Sequence, residues 1–485
     1  MKNQFIIAAL ASAFVVASCD VDDFTGNPKP PTGDIEFKNH SISPVLLEKT
    51  PEFSDVEIYN ILSSEDTYIP NFTYGSMADG AGLLRNKNGT FSLINNIEAD
   101  YSVARITLDK TFKPVEGEHI LNAVATANTA QCSGSMITPK EHGFGPLYLS
   151  GGEWGGNSKG VFATDPYRDA SEASAPRMLP AMGQWSTENA VALHMRAYPG
   201  KTVVFIGDDN SNNEIPSGQL GMYVGRHGDL ENGKLYGLKV TSPDVTYEVD
   251  MKEGVAYDME FVELKERDID LLDAEAKEKG VMGFSRLEDL DWRRGSRKNM
   301  QELYFAVTGR EKDGLIGKGT LAGRIYKVIL NPRNPSGPGK IVCVLDGDVE
   351  GGKAEAFHSP DNILVTENYA YIQEDPNGIS KPAANHYARL YQYDLNTGAL
   401  KTVLECDQLK AASLGYGPAD RTWEITGMID ISETIGVDET FLLITQNHGW
   451  EREDGTPFTD PTANPDLANS RKEGSMLYVV RGLER

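Results

Sequence analysis

From about residue 71 onward the chain is a succession of short, strand-like runs. The runs are rich in β-branched and aromatic residues, and Gly, Asn, Asp and Pro separate them, as hairpin turns require. Many runs contain a Leu-Tyr or Ile-Tyr pair that recurs at irregular spacing. This weak repeat predicts an all-β fold, a β-propeller built of blades, with a pair of β-sandwiches as the competing architecture. The predicted strands include residues 145–150, 202–206, 234–239, 302–307, 324–329, 370–373, 389–393 and 441–445.

One segment departs from the strand pattern. Residues 268–279 place Ile269, Leu271, Leu272 and Ala276 at helical spacing. We interpret this segment as one short helical insertion between two blades.

The N-terminus indicates export. An apolar run over residues 5–17 is too short to span a membrane and ends in Val16-Ala17-Ser18-Cys19, which resembles a bacterial lipobox. We therefore expect residues 1–18 to be a lipoprotein signal peptide and Cys19 to carry lipid. An ordinary signal peptide with an incidental cysteine is the alternative. The expected location is a bacterial membrane, on the periplasmic side or at the cell surface, with the chain anchored by its lipid.

Composition changes after Cys19 in a way that predicts the domain plan. Residues 19–33 are rich in Asp, Pro and Gly, which suits a flexible tether. We expect residues 34–70 to form an N-terminal extension that packs on the propeller, and residues 71–485 to form the propeller catalytic domain.

The net charge restricts the partners. A formal charge of −25 over 485 residues argues against nucleic acid and against anionic lipid surfaces. Excess carboxylate serves solubility, or it binds hard cations through oxygen ligands. We expect a monomer that touches a membrane only through the lipid on Cys19.

Three cysteines remain besides Cys19: Cys132, Cys343 and Cys406. An odd number in an exported chain leaves at least one thiol without an intramolecular partner. Cys343 and Cys406 lie in or beside strand-like segments and could pair, which would leave Cys132 as the odd thiol.

Carboxylates stand at the ends of many predicted strands. In a propeller such residues from different blades can converge on the central axis, where they would repel one another unless a cation neutralises them. Taken singly, each is equally a turn or capping residue. The residues concerned include Glu98, Glu153, Glu188, Asp208, Asp209, Glu288, Asp361, Asp375 and Glu424.

A series of short motifs follows along the chain, namely Asn96-Ile97-Glu98, Cys132-Ser133-Gly134, Thr138-Pro139, Gly152-Glu153, Thr187-Glu188, Gly207-Asp208-Asp209, Arg286-Leu287-Glu288, Ser359-Pro360-Asp361, Glu424-Ile425-Thr426-Gly427 and Gln446-Asn447-His448. In this order the motifs resemble those of PhoX-type secreted alkaline phosphatases, and the resemblance runs from about Asp79 to His448.

Four departures accompany the resemblance. Ile97 and Thr187 replace two family histidines, Gly152 replaces one glutamate of a pair, and a short insertion follows Pro139. These changes leave room for a different metal count and a different ester substrate.

The resemblance implies a six-bladed propeller with a mixed iron and calcium centre. It also implies that the protein hydrolyses phosphate monoesters, so that its partner is a small phosphorylated substrate. The chemistry agrees, since carboxylates suit hard cations and a thiolate such as Cys132 suits a transition metal. Arg286 has the planar fork that grips two phosphate oxygens, although a structural salt bridge is its alternative role. A buried free thiol is the alternative for Cys132. The expected metal ligands are Cys132, Glu98, Glu153, Glu188 and Glu288, the catalytic residues are Arg286 and Glu288, and further candidates are Asp79, Asp208, Asp361, Glu424 and His448.

Two other classes of function stay open. One is a different propeller hydrolase, such as a calcium-dependent lactonase or a phytase-like enzyme, which requires no thiolate. The other is a non-catalytic surface protein whose propeller binds glycans or partners. Fold alone does not separate these classes.

Overall fold

A computed structural model describes residues 35–376, 379–466 and 472–485. The predicted signal peptide, Cys19 and the tether up to residue 33 lie outside the described residues. No helix within them is both long and apolar enough to cross a membrane.

The described residues form a nearly all-β structure. The strands in chain order are β1 (Leu47–Lys49), β2 (Glu57–Ser63), β3 (Ala78–Arg85), β4 (Phe91–Ile97), β5 (Ser102–Leu108), β6 (Pro114–Leu121), β7 (Thr129–Ile137), β8 (Leu147–Gly155), β9 (Gly160–Thr164), β10 (Thr187–Ala192), β11 (Lys201–Asp208), β12 (Leu220–Arg226), β13 (Lys234–Val240), β14 (Ala256–Leu264), β15 (Leu287–Trp292), β16 (Glu302–Val307), β17 (Arg324–Ile329), β18 (Gly339–Asp346), β19 (Pro360–Val365), β20 (Tyr369–Glu374), β21 (Arg389–Asp394), β22 (Leu400–Cys406), β23 (Glu424–Asp430), β24 (Thr440–Asn447) and β25 (Gly474–Arg481).

Helices are few and short. The α-helices are α1 (Pro139–His142), α2 (Ile269–Lys279), α3 (Gln408–Ser413) and α4 (Ser432–Ile435). Single 3-10 turns cover Pro51–Phe53, Glu98–Asp100, Ala170–Glu172, Pro180–Met182, Glu248–Asp250, Asn299–Gln301, Asp313–Leu315 and Pro382–Ala384.

The strands form antiparallel sheets of meander type. Four sheets stand apart, with strand orders β3-β4-β5-β6, β7-β8-β9, β1-β22-β21-β20-β19 and β2-β25-β24-β23. A fifth, nine-stranded sheet has the order β10-β11-β12-β13-β14-β18-β17-β16-β15. The two meanders β10–β13 and β15–β18 are therefore joined edge to edge through β14.

The inner-edge strands of these sheets surround a common axis. β3, β7, β10, β15, β19 and β23 contact one another in that sequence, and β23 contacts β3 to close the circle. This confirms the prediction of an all-β, propeller-like fold. The joined nine-stranded sheet stands in place of separate blades over that part of the circle.

Apolar side chains pack between neighbouring sheets. β24 is buried over its whole length, and its residues Leu442 and Ile444 face the β3–β6 sheet while Phe441 and Leu443 face the β19–β22 sheet. The alternation of side chains along a strand is what allows one strand to serve two cores. This packing holds the inner-edge strands at fixed positions around the axis.

The N-terminal segment of the described chain belongs to two sheets. β1 pairs with β22, and β2 pairs with β25, so that each forms the outer strand of a sheet made of C-terminal strands. The two ends of the chain are thereby hydrogen-bonded together.

The predicted helical insertion is present as α2, between β14 and β15. Asp268 caps its N-terminus by accepting from the backbone N–H groups of Asp270 and Leu271, and Gly280 ends it in a left-handed conformation. Leu272 and Ala276 are buried against the sheet.

The suggested pairing of Cys343 with Cys406 is wrong. Among the described residues, Cys132, Cys343 and Cys406 are all free and buried. Cys343 lies in β18 within the core of the nine-stranded sheet, whereas Cys406 ends β22 in the core between two other sheets. The two thiols therefore serve as small apolar side chains in different cores.

Candidate metal centre

A pocket of about 590 Å³ opens where the inner-edge strands meet. Its wall is dominated by carboxylates, with a thiol, an arginine and a histidine among them. The ionisable residues that line it are Asp79, Glu98, Cys132, Glu153, Glu188, Arg286, Glu288, Asp361, Asp375, Asp420, Glu424, His448 and Glu473.

Each inner-edge strand is interrupted by a β-bulge, in which two residues face a single residue of the neighbouring strand. In β10, for example, Thr187 pairs with Asp208 and Ala190 with Ile206, so that two residues share the place opposite Gly207. A bulge re-aims the side chains of its residues. The bulged pairs are Asp79-Gly80, Cys132-Ser133, Glu188-Asn189, Glu288-Asp289, Asp361-Asn362 and Gly427-Met428.

Five of the six bulges begin with a residue that can bind a metal, and these residues come together. Two more candidates come from neighbouring positions, Glu98 in the 3-10 turn after β4 and Glu153 in β8. The potential ligand atoms form three groups, each with its members within 4.8 Å of one another. The groups are Asp79, Glu98 and Cys132; Cys132, Glu153 and Glu188; and Glu188, Glu288 and Asp361.

Because Cys132 and Glu188 each belong to two groups, the seven residues form one continuous row, which we call the ligand row. The sequence-predicted ligands Cys132, Glu98, Glu153, Glu188 and Glu288 all lie in it, together with the further candidates Asp79 and Asp361.

The carboxylates of the ligand row repel one another when no cation neutralises their charges. Burial raises the pKa of Asp79 well above its usual range, and the neighbouring Glu98 charge raises it further. Burial and the charge of Glu153 act in the same way on the pKa of Glu188. For Asp361, burial and the charge of Asp375 raise the pKa to about 8.

Cys132 lies at the centre of the row, within β7. Its Sγ donates to Glu153 Oε2 over 2.8 Å. Burial, followed by the charge of Glu153, raises the pKa of the thiol well above its usual range. Asn96 Nδ2 donates to the backbone carbonyls of Cys132 and Ser133, which fixes this stretch of β7 against β4.

Glu98 is held by two donors on either side of its carboxylate. Trp154 Nε1 donates to Oε1 and Gln446 Nε2 donates to Oε2, both over 2.6 Å. These donors come from β8 and β24, so that two different sheets fix the orientation of one carboxylate. Such second contacts are typical of metal-binding carboxylates.

Arg286 and Glu288 meet at the start of β15. The strand begins at Leu287, and Arg286 before it has a left-handed backbone, with φ of 63°. Its Nη2 lies 2.6 Å from Glu288 Oε1, and its Nε donates to Asp209 Oδ1 over 3.2 Å. These carboxylates hold the pKa of Arg286 well above its usual range despite burial, which keeps the guanidinium charged.

His448 lies between two carboxylates at the pocket wall and is hydrogen-bonded to both. Its Nε2 lies 2.9 Å from Glu424 Oε1 and its Nδ1 lies 3.1 Å from Glu473 Oε2. These hydrogen bonds outweigh burial and raise the pKa of His448 well above its usual range. The predicted candidates Glu424 and His448 therefore line the pocket as an ion-paired group beside the ligand row.

Asp208 does not line the pocket. Its Oδ1 accepts from the backbone N–H of Ser186 over 2.9 Å, as expected of the last residue of a strand. The following residue, Asp209, is the one that reaches Arg286. Because side chains alternate along a strand, neighbouring aspartates at its end point in different directions.

Sequence reasoning missed three carboxylates of the pocket wall as site candidates: Asp375, Asp420 and Glu473. Asp375 follows β20 and was recognisable as a strand-end residue. Glu473 comes directly before β25, and Asp420 lies in the loop before β23, where nothing in the sequence singles them out.

The residues of the ligand row fit a set of bound cations. Six carboxylates supply the oxygen ligands that calcium prefers, and one thiol supplies the softer ligand that favours a transition metal such as iron. Glu288 contributes to this set while one of its oxygens, Oε1, is ion-paired with Arg286 Nη2 over 2.6 Å.

Comparison with known proteins supports the fold. No family model and no curated protein matches the chain. Pseudomonas fluorescens PhoX in complex with vanadate, a transition state analogue, matches with a TM-score of 0.60 at 14% identity, over 88% of this chain and 95% of that chain. This likeness shows a shared propeller-like fold.

Two further solved structures are more remote. A Penicillium chrysogenum α-L-arabinanase with arabinobiose has a TM-score of 0.39 at 12% identity, covering 86% of this chain and 96% of that chain. A Fusarium graminearum α-L-arabinofuranosidase with an iminosugar inhibitor has a TM-score of 0.40 at 11% identity, covering 87% and 98%.

Proposed function

We propose that this protein is an exported, metal-dependent phosphatase that hydrolyses phosphate monoesters and resembles PhoX. The observation that carries the proposal is the ligand row, in which carboxylates from several strands surround one thiol, with Arg286 paired to its member Glu288. The propeller-like fold shared with PhoX supports the proposal. Lipid attachment at Cys19 remains part of it, and labelling with a fatty-acid analogue tests that part.

The proposal includes a count of six blades. Each of the six inner-edge strands has one bulge, and the bulges of β10 and β15 stand at the two edges of the nine-stranded sheet. We therefore regard this sheet as two blades that share β14 as a connecting strand. Under this count every blade contributes one bulge to the axis.

The ligand row would hold iron and calcium, with Cys132 on the transition metal and the carboxylates on both. When bound, these cations supply the positive charge that a phosphate dianion and its transition state require. All seven residues of the row line the pocket, so that a phosphate group that enters the pocket meets them.

Arg286 would bind two oxygens of the phosphate group. Its guanidinium is fixed by Asp209 on one side and Glu288 on the other, and its side chain remains 17% exposed at the pocket. A pre-positioned arginine fork loses little freedom when it binds an anion. His448, held as a cation by Glu424 and Glu473, adds positive charge to the same wall.

Metal analysis together with a phosphatase assay tests the proposal. Protein purified without chelator should contain calcium and a transition metal, and it should hydrolyse p-nitrophenyl phosphate. Lactonase activity with calcium alone would instead favour the lactonase class. Neither metal nor hydrolysis would favour a non-catalytic binding propeller.

A matched pair of variants links the activity to the ligand row. Glu188→Gln removes a ligand shared by two groups and should lose metal and activity together. Asp208→Asn alters an equally buried carboxylate that points away from the pocket, and it should keep both. Equal behaviour of the two variants would contradict the assignment of the row.

A further inference from the structure

Glu248 is a buried acid outside the pocket with no role in the ligand row. It begins the 3-10 turn between β13 and β14 and is 0% exposed. Its Oε1 accepts from the backbone N–H of Ser285 over 2.9 Å and of Thr320 over 3.0 Å. Its Oε2 is buried and without a hydrogen-bond partner.

The charge of this carboxylate is not matched by a direct ion pair among the described residues. Arg324 donates through Nη1 to the backbone carbonyls of Glu248, over 2.8 Å, and of Met251, over 3.2 Å. Its Nη2 forms an ion pair with Asp346, at 2.7 Å. Burial of a carboxylate without an ion pair costs free energy of folding, even when the carboxylate accepts from two backbone N–H groups. The position of Glu248 therefore indicates a role beyond local stability.

The backbone N–H group of Ser285, which Glu248 holds, belongs to the residue before Arg286. Ser285 and Arg286 accept through their carbonyls from the N–H groups of Gly309 and Thr308, respectively, each over 3.0 Å. The segment is therefore bound through its carbonyls by the two residues that follow β16 and through an N–H group by Glu248. Arg286 itself has a φ of 63°, a conformation that non-glycine residues rarely adopt without support.

Gly319 packs closely against Ser285 as well. A Cβ atom placed on Gly319 would lie 1.9 Å from Ser285 Oγ. Glycine at 319 thus lets the loop before Thr320 lie directly on Ser285, with Thr320 sharing the carboxylate oxygen of Glu248. The geometry leaves Ser285 little freedom to move.

We infer that Glu248 is a positioning residue for Arg286: by clamping the Ser285 and Thr320 amides, it holds Arg286 in the left-handed conformation that aims its guanidinium at the pocket between Asp209 and Glu288. This inference rests on the proposed function for the identity of the bound anion. Glu248 touches no ligand-row residue and lines no part of the pocket.

Binding of inorganic phosphate to the metal-loaded protein, measured by calorimetry, tests the inference. Glu248→Ala should weaken phosphate binding roughly 10- to 100-fold, because misplacement of a binding group by about 1 Å has effects of this size. Metal content should stay at the wild-type level. Glu248→Gln keeps an oxygen acceptor in place and should bind phosphate nearly as tightly as wild type.

Asp66→Ala is the matched control. Asp66 is also buried and also accepts from two backbone N–H groups, those of Ile42 and Ser63, far along the chain from Arg286. Its loss should lower the melting temperature without weakening phosphate binding. Should Glu248→Ala fail to fold, Gly319→Ala places a methyl group against Ser285 and Glu248 Oε1 and should weaken phosphate binding in the same way.

The outcomes are separable. A folded Glu248→Ala or Gly319→Ala variant with wild-type phosphate affinity would overturn the positioning role, and so would a Glu248→Gln variant as weak as Glu248→Ala. If the wild-type protein binds no phosphate and hydrolyses no monoester, the proposed function fails. The clamp would then be judged by a crystal structure of Glu248→Ala, in which an unmoved Arg286 guanidinium would overturn it.

Discussion

At the scale of single residues, Arg286 carries the strongest prediction for catalysis. Arg286→Lys keeps the charge but loses the two-pronged fork, and should cost about 2–3 kcal/mol of transition-state binding, roughly 30- to 150-fold in kcat/KM. Arg286→Ala should cost more. Both effects follow from the position of the guanidinium between Asp209 and Glu288. Steady-state kinetics with a phosphate monoester provide the measurement.

Arg389→Lys serves as the control for this series. Arg389 is also ion-paired, with Glu405 at 2.7 Å, but it does not line the pocket. Its substitution should leave kcat/KM unchanged. An Arg286→Ala enzyme with full kcat/KM would show that the arginine is only structural.

We expect Cys132 to determine whether the ligand row binds a transition metal. Burial and the charge of Glu153 favour the protonated thiol in the absence of metal, so a transition metal must displace that proton when it binds. Cys132→Ser should therefore lose most of the transition metal and retain calcium, since a hydroxyl is a much poorer soft ligand. Elemental analysis and the thiolate-to-metal absorption band give the readout.

Cys406→Ser is the appropriate comparison, because Cys406 is another buried free thiol but lies in a core between two sheets. Its substitution should leave the metal content unchanged. Full transition-metal occupancy in Cys132→Ser would rule out the thiol as a ligand.

At the scale of elements, the positions of the strands were predictable from the sequence, whereas the bulges within them were not. The predicted runs 302–307 and 324–329 coincide with β16 and β17, because β-branched and aromatic residues between turn residues leave little choice of structure. A bulge is an irregularity in the pairing of two strands, here of strands that follow each other along the chain, and the sequence of neither strand alone records it. This is why the candidates Glu188 and Glu288 could be named while their geometry, and the turn of Arg286, could not.

Glycines allow the bulged strands to approach one another. A Cβ atom on Gly151 in β8 would lie 2.1 Å from the carbonyl oxygen of Glu188, and one on Gly207 in β11 would lie 2.4 Å from that of Glu288. In both places a glycine of one meander faces the bulge of the next. Backbone-to-backbone packing of this kind excludes any side chain.

Gly151→Ala should therefore destabilise the fold and disturb the ligand row together. The methyl group would push the bulge of β10 away from β8, which we expect to cost about 3 kcal/mol or more, as overpacking of a rigid contact does. Chemical denaturation and metal content are the measurements. Gly221→Ala, whose Cβ would meet the side chains of Trp185 at 3.2 Å and Ile206 at 3.3 Å, should be milder. Equal destabilisation by both variants would contradict this view of the inner strands.

At the scale of the whole molecule, the sequence predicted the class of fold but not the joining of its sheets. Turn spacing and the aromatic repeat indicate meanders around an axis, and these are present. The link through β14 joins β13 to β18, strands more than ninety residues apart, and no local pattern records such a pairing. Likewise, the suggested cysteine pair failed because sequence spacing does not report which core a strand enters.

Under the proposed function, we expect the stability of the whole molecule to depend on cations bound by the ligand row. Its carboxylates come from strands all around the axis, so their mutual repulsion acts against closure of the circle. Burial raises the pKa values of Asp79, Glu153, Glu188 and Glu288 well above their usual range in the metal-free protein. A carboxyl group with a raised folded-state pKa stabilises the fold while it is protonated, and this contribution is lost as the pH rises above the unfolded-state pKa.

The metal-free protein should therefore lose stability as the pH increases from about 5 to 8, between the ordinary carboxyl pKa and the pKa of about 8 to which burial and Asp375 raise Asp361. Bound cations neutralise the same carboxylates and should remove this dependence. Chelator treatment should lower Tm only slightly at pH 5 and much more at pH 8, as calorimetry at both values would show. Glu188→Gln removes one of the repelling charges, and its metal-free form should lose less stability over this range. A chelator effect on Tm that stays constant or shrinks toward pH 8 would mean that the carboxylates of the row do not hold the cations on which the fold depends.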